Sequence, residues 1–262
     1  MFIEERHEAI LKILKDNGRI SIGEIQDEFN VSVESARRDL RLLEERGLLK
    51  RTYGGAIELP QVGAQAPRKM DPRKIENIKE NYVEIAKEAV KLIAEDDVVY
   101  ITSASIGYFM TKYIPEDLKI TVVTNSIVIA DELKYRDNIT VYVAGGKMRA
   151  KGSIVDTFAT EFVKNMHFDI SFMTGAGFSL DFGLSNGTHE TATFQKTVIN
   201  NSRKNIVLVP NEKLGFDSFI KVVDYDKFDV MITDWDAVEE ELIKFESAGL
   251  KVITVKRGGS YE

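Results

Sequence analysis

The stretch SVESARRDL, residues 32–40, decides how the opening of the chain is read. Ser32 is a favoured helix N-cap, and it stands just before Ala36, Leu40 and Leu43, which recur at helical spacing. Ser35 lies three positions on, where a reciprocal box would need Glu or Gln, so a simple cap is expected. Arg37, Arg38 and Arg41 fall outside that apolar stripe, and Gly47 ends the helix. Working upstream, Asn30-Val31 makes a turn, and Ser21 with Glu24 has the capping-box pattern ahead of Ile22, Ile25 and Phe29. Ile10, Ile13 and Leu14 predict a first helix that stops at Asn17-Gly18. Downstream, residues 48–51 and 56–59 flank Thr52-Tyr53-Gly54-Gly55, the pattern of a two-stranded wing. Three helices and a hairpin suit a second helix docked in the DNA major groove, with early residues at base edges and flanking cations on phosphates.

The charge distribution agrees. The 262-residue chain is acidic overall, with a formal net charge of −7. Yet residues 37–51 hold six cations against three acids, and residues 67–79 hold five against two. Basic charge is thus concentrated near the front of an acidic protein. Composition is ordinary for a folded chain, 44% hydrophobic and 29% charged, which excludes a largely disordered one. There is no cysteine, so disulfides and thiolate chemistry are excluded, and the scattered His7, His167 and His189 make no metal site. We expect no metal and no cofactor. No apolar run reaches the roughly 20 residues of a membrane span, and the first ten residues lack a signal-peptide core, so a cytoplasmic protein is expected. His7 reads as a surface histidine of no special role. Gly54 and Gly55 either permit the tight turn or let the wing backbone approach DNA.

Residues 60–72 contain three of the five prolines and read as part of a linker over 60–74. A long amphipathic helix is expected over 75–95. Beyond it the pattern changes to Val/Ile/Thr-rich runs at 98–101, 120–124, 139–146, 168–177, 205–210, 219–224, 230–234 and 251–255. Helical stretches at 126–136, 190–202 and 236–247 alternate with them, which predicts an α/β layer fold with a mostly parallel sheet. The domain expectation is therefore 1–59, a linker 60–74, and an α/β domain over 75–257. In such a sheet ligands bind beyond the carboxyl ends of strands. Loops with hydroxyls, glycines, Arg149 and Lys213 follow five of the runs and would together make an anion site.

Arg6-x3-Ile10-x3-Leu14, then seventeen residues to Ser32, then SVESARRDL and TYGGA, resembles the winged helix-turn-helix of the DeoR family of bacterial transcriptional regulators over residues 6–56. TNSIVIADEL, the AGG before Arg149, FDISFMTGAG, GLSNGTHE and the lysine of PNEKLG resemble its sensor domain over about residues 75–255. The resemblance implies an α/β sensor domain related to ribose-5-phosphate isomerase and to sugar-phosphate isomerases and deaminases. It implies DNA contacts from Arg6, Ser32, Ser35, Arg37, Arg38, Arg41, Arg51, Tyr53 and Gly54. It likewise implies effector contacts from Ser103, Ser105, Thr124, Asn125, Ser126, Gly145, Gly146, Arg149, Glu190 and Lys213. The implied partners are double-stranded operator DNA, a sugar phosphate or related metabolite, and a second copy of the chain in a homodimer or higher oligomer.

Two departures from the family pattern bear on the effector. Thr102-Ser103-Ala104-Ser105-Ile106 stands where the family runs Asp-x-Gly-(Ser/Thr)-Thr, and Asp156 stands where it commonly has glycine. A pocket less acidic and more apolar than the family pattern is expected, holding something other than an ordinary hexose phosphate or holding it weakly. Three functions compete: a ligand-controlled repressor of a carbohydrate operon, a DNA-binding regulator with an atypical or inactive sensor, and a sugar-phosphate isomerase or deaminase. The third needs a positioned base, and His189-Glu190 is the one tempting pair, more simply read as helix-start polarity.

Overall fold

In the computed structural model, residues 2–58 and 79–258 are described. The linker expected at 60–74 and the first residues of the helix expected at 75–95 lie outside them. The chain divides into two compact units, one built from residues 1–61 with 236–240 and the other from the remainder.

The first unit runs α1 (Ile3–Asn17), β1 (Arg19–Ser21), α2 (Ile22–Phe29), α3 (Val33–Glu45), β2 (Lys50–Thr52) and β3 (Gly55–Ile57). Local signals set these boundaries. Gly18 closes α1 in the left-handed region at φ 74°, donating its amide to Leu14 O at 2.7 Å. Ser21 and Glu24 exchange side chain and backbone across the first turn of α2, at 3.1 and 2.7 Å. Ser32 caps α3 by accepting from the Ser35 amide at 3.2 Å; such a cap contributes about 1 kcal/mol. Ile10, Leu14, Ile25, Ala36, Leu40 and Leu43 form the core.

The wing is larger than a hairpin. β3 lies between β2 and β1, pairing antiparallel with both, so the strand before α2 completes a three-stranded sheet. That explains Gly55, whose backbone does not need the left-handed region. A Cβ there would lie 2.0 Å from Ile20 O, so its lack of a side chain is what lets β1 close on β3. Nothing lies within 4 Å of a Cβ at Gly54.

The second unit contains α4 (Glu80–Val90), β4 (Val98–Ile101), α5 (Ser105–Thr111), β5 (Ile120–Thr124), α6 (Ile127–Leu133), β6 (Ile139–Val143), α7 (Thr157–Lys164) and β7 (Phe168–Met173). There follow β8 (Gly177–Ser179), β9 (Gly183–Asn186), α8 (His189–Asn200), β10 (Ser202–Leu208), β11 (Ile220–Val223), β12 (Val230–Thr233), α9 (Glu239–Ser247, of which 241–247 belong to this unit) and β13 (Lys251–Thr254). Seven strands form one parallel sheet in the order β13-β12-β10-β7-β4-β5-β6. Val99, Ile101, Val122, Phe172, Ile206 and Ile232, all buried, line the main core. β8, β9 and β11 form a separate antiparallel sheet, so the run at 219–224 does not join the parallel one. α4 ends at Val90, short of residue 95, because Lys91, Leu92 and Ile93 donate to carbonyls three residues back and tighten the chain into turns. Ile93 stays buried at 8% exposure, which is why the apolar pattern ran past the helix end.

The chain enters this sheet at β4, builds outward to β6, then crosses back to β7 on the other side of β4. The strand order therefore reverses between β4 and β7. In open parallel sheets the crevice beyond that point is where ligands bind.

Candidate functional site

The first unit presents one helix face. Arg37, Arg38 and Arg41 are all exposed on α3, with Ser32 exposed at its cap and Ser35 beside it, their hydroxyls 3.1 Å apart. Tyr53 is 71% exposed at the wing tip next to Gly54. Two of the expected DNA contacts are not on this face. Arg6 is buried, its Nε donating to Asp39 Oδ2 at 2.6 Å and its Nη2 to Oδ1 at 3.2 Å. Arg51 donates Nε to Glu44 Oε2 at 2.6 Å and its amide to Oε1 at 2.8 Å, which ties β2 to α3. His7 is no surface residue either: at 5% exposure its Nε2 sits 3.2 Å from Asp39 Oδ1. The Asp39 carboxylate is fully buried between α1 and α3, one position after Arg38. It raises the Arg6 pKa by hydrogen bond and charge, against the smaller opposing cost of burial. The bridge fixes how α3 sits on α1, and so how its arginines are presented.

In the second unit a cavity of about 190 Å³ opens at the strand-order reversal. Thr102, Ser103 and Ala104 after β4, Asn125 after β5, Thr174 and Gly175 after β7, and Lys213 after β10 line it. Ser153 and Val155 from the loop after β6, Asn186 from β9, and Thr191 and Gln195 from α8 complete the wall. Among the described residues that line it there is one cation and no carboxylate.

Lys213 reaches Thr174 Oγ1 at 3.3 Å. Desolvation pushes its ammonium down to about 8, opposed by the neighbouring Glu212 and reinforced by repulsion from Lys79. Gln195 donates to Thr174 O at 2.9 Å and accepts from Asn186 Nδ2 at 2.6 Å, fixing that wall. Asn125 is buried, its Oδ1 accepting from Tyr100 OH at 2.8 Å and the Ser103 amide at 3.1 Å, while Nδ2 donates to Ile154 O at 3.0 Å. These bonds hold the loops after β4, β5 and β6 in one arrangement.

The structure thus brings Ser103, Asn125 and Lys213 of the expected effector set to the cavity wall. Thr124 and Ser126 lie buried beside it. The Thr124 hydroxyl donates to Ile101 O at 2.9 Å, and Ser126 caps α6 through the Ile129 amide at 3.3 Å. Arg149 does not line the cavity, but donates to Thr191 Oγ1 at 2.9 Å and lies 3.5 Å from Glu190, itself exposed. Ser105, Gly145 and Gly146 are also outside the lining. At Gly146, φ is 141° and a Cβ would lie 2.2 Å from Asp156 Oδ1, which requires glycine there. Asp156 accepts from the Lys147 amide at 2.7 Å and caps α7 through Ala159 at 3.0 Å. Those amide bonds hold its carboxyl below the usual range. A side-chain carboxylate already occupies the amide that follows the two glycines.

Ile106 corrects one expectation. It is 1% exposed within the main core, so it does not make the cavity apolar, whereas Thr102 and Ala104 do line it. Thr174, Asn186, Thr191 and Gln195 were missed by sequence reasoning. The four-residue spacing of Thr191 and Gln195, on one face of the helix that starts in GLSNGTHE, was the available signal.

Two family models match: the DeoR-like helix-turn-helix domain over residues 6–61 and the DeoR C terminal sensor domain over residues 79–235. The HTH-type transcriptional regulator GolR of Listeria innocua is 28% identical over 96% of this chain and 98% of its own length. The HTH-type transcriptional repressor GlcR of Bacillus subtilis is 31% identical over 89% of each chain. The glycerol-3-phosphate regulon repressor of Escherichia coli K12 is 25% identical over 88% of this chain and 90% of its own. Among solved structures, ribose 5-phosphate isomerase A of Methanocaldococcus jannaschii aligns with 50% of this chain and 52% of its own, at 19% identity and a TM-score of 0.38, a likeness too slight to argue from. With both of its modules matched along the chain, the protein belongs to the DeoR family of DNA-binding transcriptional regulators.

Proposed function

We propose that the protein is a cytoplasmic repressor of a carbohydrate or polyol operon, acting as a homodimer or higher oligomer. In this reading a small phosphorylated metabolite in the cavity at the strand-order reversal sets its affinity for operator DNA. The cavity lining carries the proposal: a single partly desolvated ammonium among hydroxyls and amides suits a polyhydroxylated anion. Membership in a family of transcriptional regulators, together with relatives named as regulators, supports binding over catalysis. Relatives named as repressors, one of a glycerol-3-phosphate regulon, support both the regulatory role and the ligand class.

A thermal-shift screen of the full chain tests the ligand. Glycerol 3-phosphate, fructose 1-phosphate and glucose 6-phosphate are compared with their unphosphorylated parents and with inorganic phosphate. A true effector at a hundredfold excess over its Kd raises Tm by about 5–10 °C. Shifts from no phosphorylated compound, or equal shifts from the unphosphorylated parents, reject the reading.

DNA binding is expected to be strongly salt-dependent, given the exposed arginines of α3. At about 4–6 phosphate contacts per subunit, a dimer's log affinity falls with log salt at a slope of roughly −7 to −11. Arg37→Ala and Arg38→Ala each cost about 1–3 kcal/mol if the arginine reads a base, with relaxed specificity at one position. Affinity indifferent to salt, or both variants binding as wild type, removes α3 as the reading helix.

A further inference from the structure

Residues 211–213 form a single tight turn whose three side chains go to three different places. Asn211 donates its amide and Nδ2 to Asp234, a fully buried carboxylate following β12, at 2.9 and 2.8 Å. Lys213 reaches into the cavity toward Thr174. Glu212 turns toward α4: its Oε1 accepts from Lys79 Nζ at 2.7 Å and from the Tyr82 hydroxyl at 2.9 Å. Asn81 closes the group, with Nδ2 3.1 Å from Asp234 and 3.5 Å from Glu212 Oε2. Lys79 also lies 4.9 Å over the Tyr82 ring. The start of α4 is therefore gathered on the turn that carries the cavity's cation.

This turn is bonded to itself, through Lys213 N to Pro210 O at 2.8 Å and Leu214 N to Asn211 O at 3.2 Å. Glu212 and Lys213 therefore share one braced turn, through which a displacement of the backbone at either residue reaches the other. The groups are linked by charge as well. Burial raises the Glu212 pKa, but the charge and hydrogen bond of Lys79, a backbone hydrogen bond and the charge of Lys213 together hold the carboxyl below its ordinary value. Lys79 is 46% exposed, so the ion pair contributes little stability of its own, and its value is positional. Along the chain, α4 is the first described element after the DNA-binding unit.

We propose that Glu212 is the positioning residue that carries occupancy at Lys213 to the first turn of α4, and through α4 to the operator affinity of the full chain. The proposal rests on the reading of the cavity as the effector site. An arm without ligand tests the relay separately. Hydrogen exchange is followed at the amides of residues 82–86 in the full chain. Lys213→Met is expected to change their protection about fivefold or more, and to change it less than about twofold in a Glu212→Gln background. Lys79→Met, which breaks the same pair at its exposed end, gives the same uncoupling and covers the case in which Glu212→Gln folds poorly. No response in the wild-type background, or the same response in all backgrounds, overturns the relay.

The second arm uses glycerol 3-phosphate as probe and a duplex selected by the wild-type protein from random-sequence DNA. Wild type and Glu212→Gln bind the probe within about threefold of each other, while a roughly tenfold response of DNA affinity shrinks below about twofold in the variant. An undiminished response overturns the proposal. If the wild type binds no phosphorylated compound, the cavity reading fails and the exchange arm alone decides the relay.

Discussion

Asp39→Asn is expected to unfold the helix-turn-helix unit of the full-length chain at room temperature while leaving the sensor unit folded. The Asp39 carboxylate is wholly buried and faces Arg6 through two hydrogen bonds, with the His7 ring at 3.2 Å. Asparagine is nearly isosteric, so the loss is not one of volume. It leaves the Arg6 guanidinium, itself 9% exposed, in the interior without a counter-charge. Removing one partner of a buried pair costs about 3–5 kcal/mol. A unit this small, residues 1–61 with 236–240, has little stability to spare. Thermal unfolding should lose its lower transition, limited proteolysis should cut within the first 58 residues, and DNA binding should vanish. A variant that melts within about 2 °C of wild type and still binds DNA would show that the bridge does not hold α3.

Lys213→Met should weaken the phosphorylated ligand by about 10- to 150-fold, the equivalent of a charge-assisted hydrogen bond of roughly 1.5–3 kcal/mol. Methionine keeps the length of the side chain, so the loss reports the ammonium and not the space it fills. A pH series gives a second reading of the same residue. The Lys213 pKa is lowered to about 8, so the unliganded site loses its positive charge as pH rises through that value. A bound anion favours the charged form and raises the pKa in the complex. Affinity is therefore full below about pH 8 and falls above it, by at most about tenfold per pH unit until the pKa of the complex is reached. Below about pH 6 the phosphate itself protonates, which gives a lower limb. In the methionine variant the upper limb should disappear. An unchanged upper limb in that variant would assign the titration to another group.

What could be read from the sequence follows from how local each signal is. Ser21 with Glu24, Ser32, and Asn17-Gly18 act within one helical turn, and all three mark helix ends in the structure as they do in the sequence. β1 was not legible: its three residues acquire a partner only at Gly55–Ile57, far along the chain. α5 was hidden for a different reason. Ile106 through Thr111 are all buried, so the helix has no polar face to produce a period. Of the candidate site, Lys213 was visible as a cation just past a strand, while Arg6 was misleading because an arginine destined for a buried carboxylate has the same local sequence as one destined for a phosphate. The pairing with Asp39 spans 33 positions, and no short pattern announces it.

The place of β4 inside the parallel sheet, between β7 and β5, has a consequence for how the chain is made. β4, β5 and β6 leave the ribosome in that order and can pair among themselves, with β5 in the middle. The other edge of β4, Val98–Ile101, waits for β7, which begins at Phe168. At about 5–20 residues per second that wait lasts roughly 3–13 s. Through it the nascent chain displays an apolar strand edge of the kind that invites pairing with another chain. Neighbouring ribosomes on one message display the identical edge, so the crowding of translation along that message, and not the stability of the finished fold, sets the hazard of mispairing during synthesis.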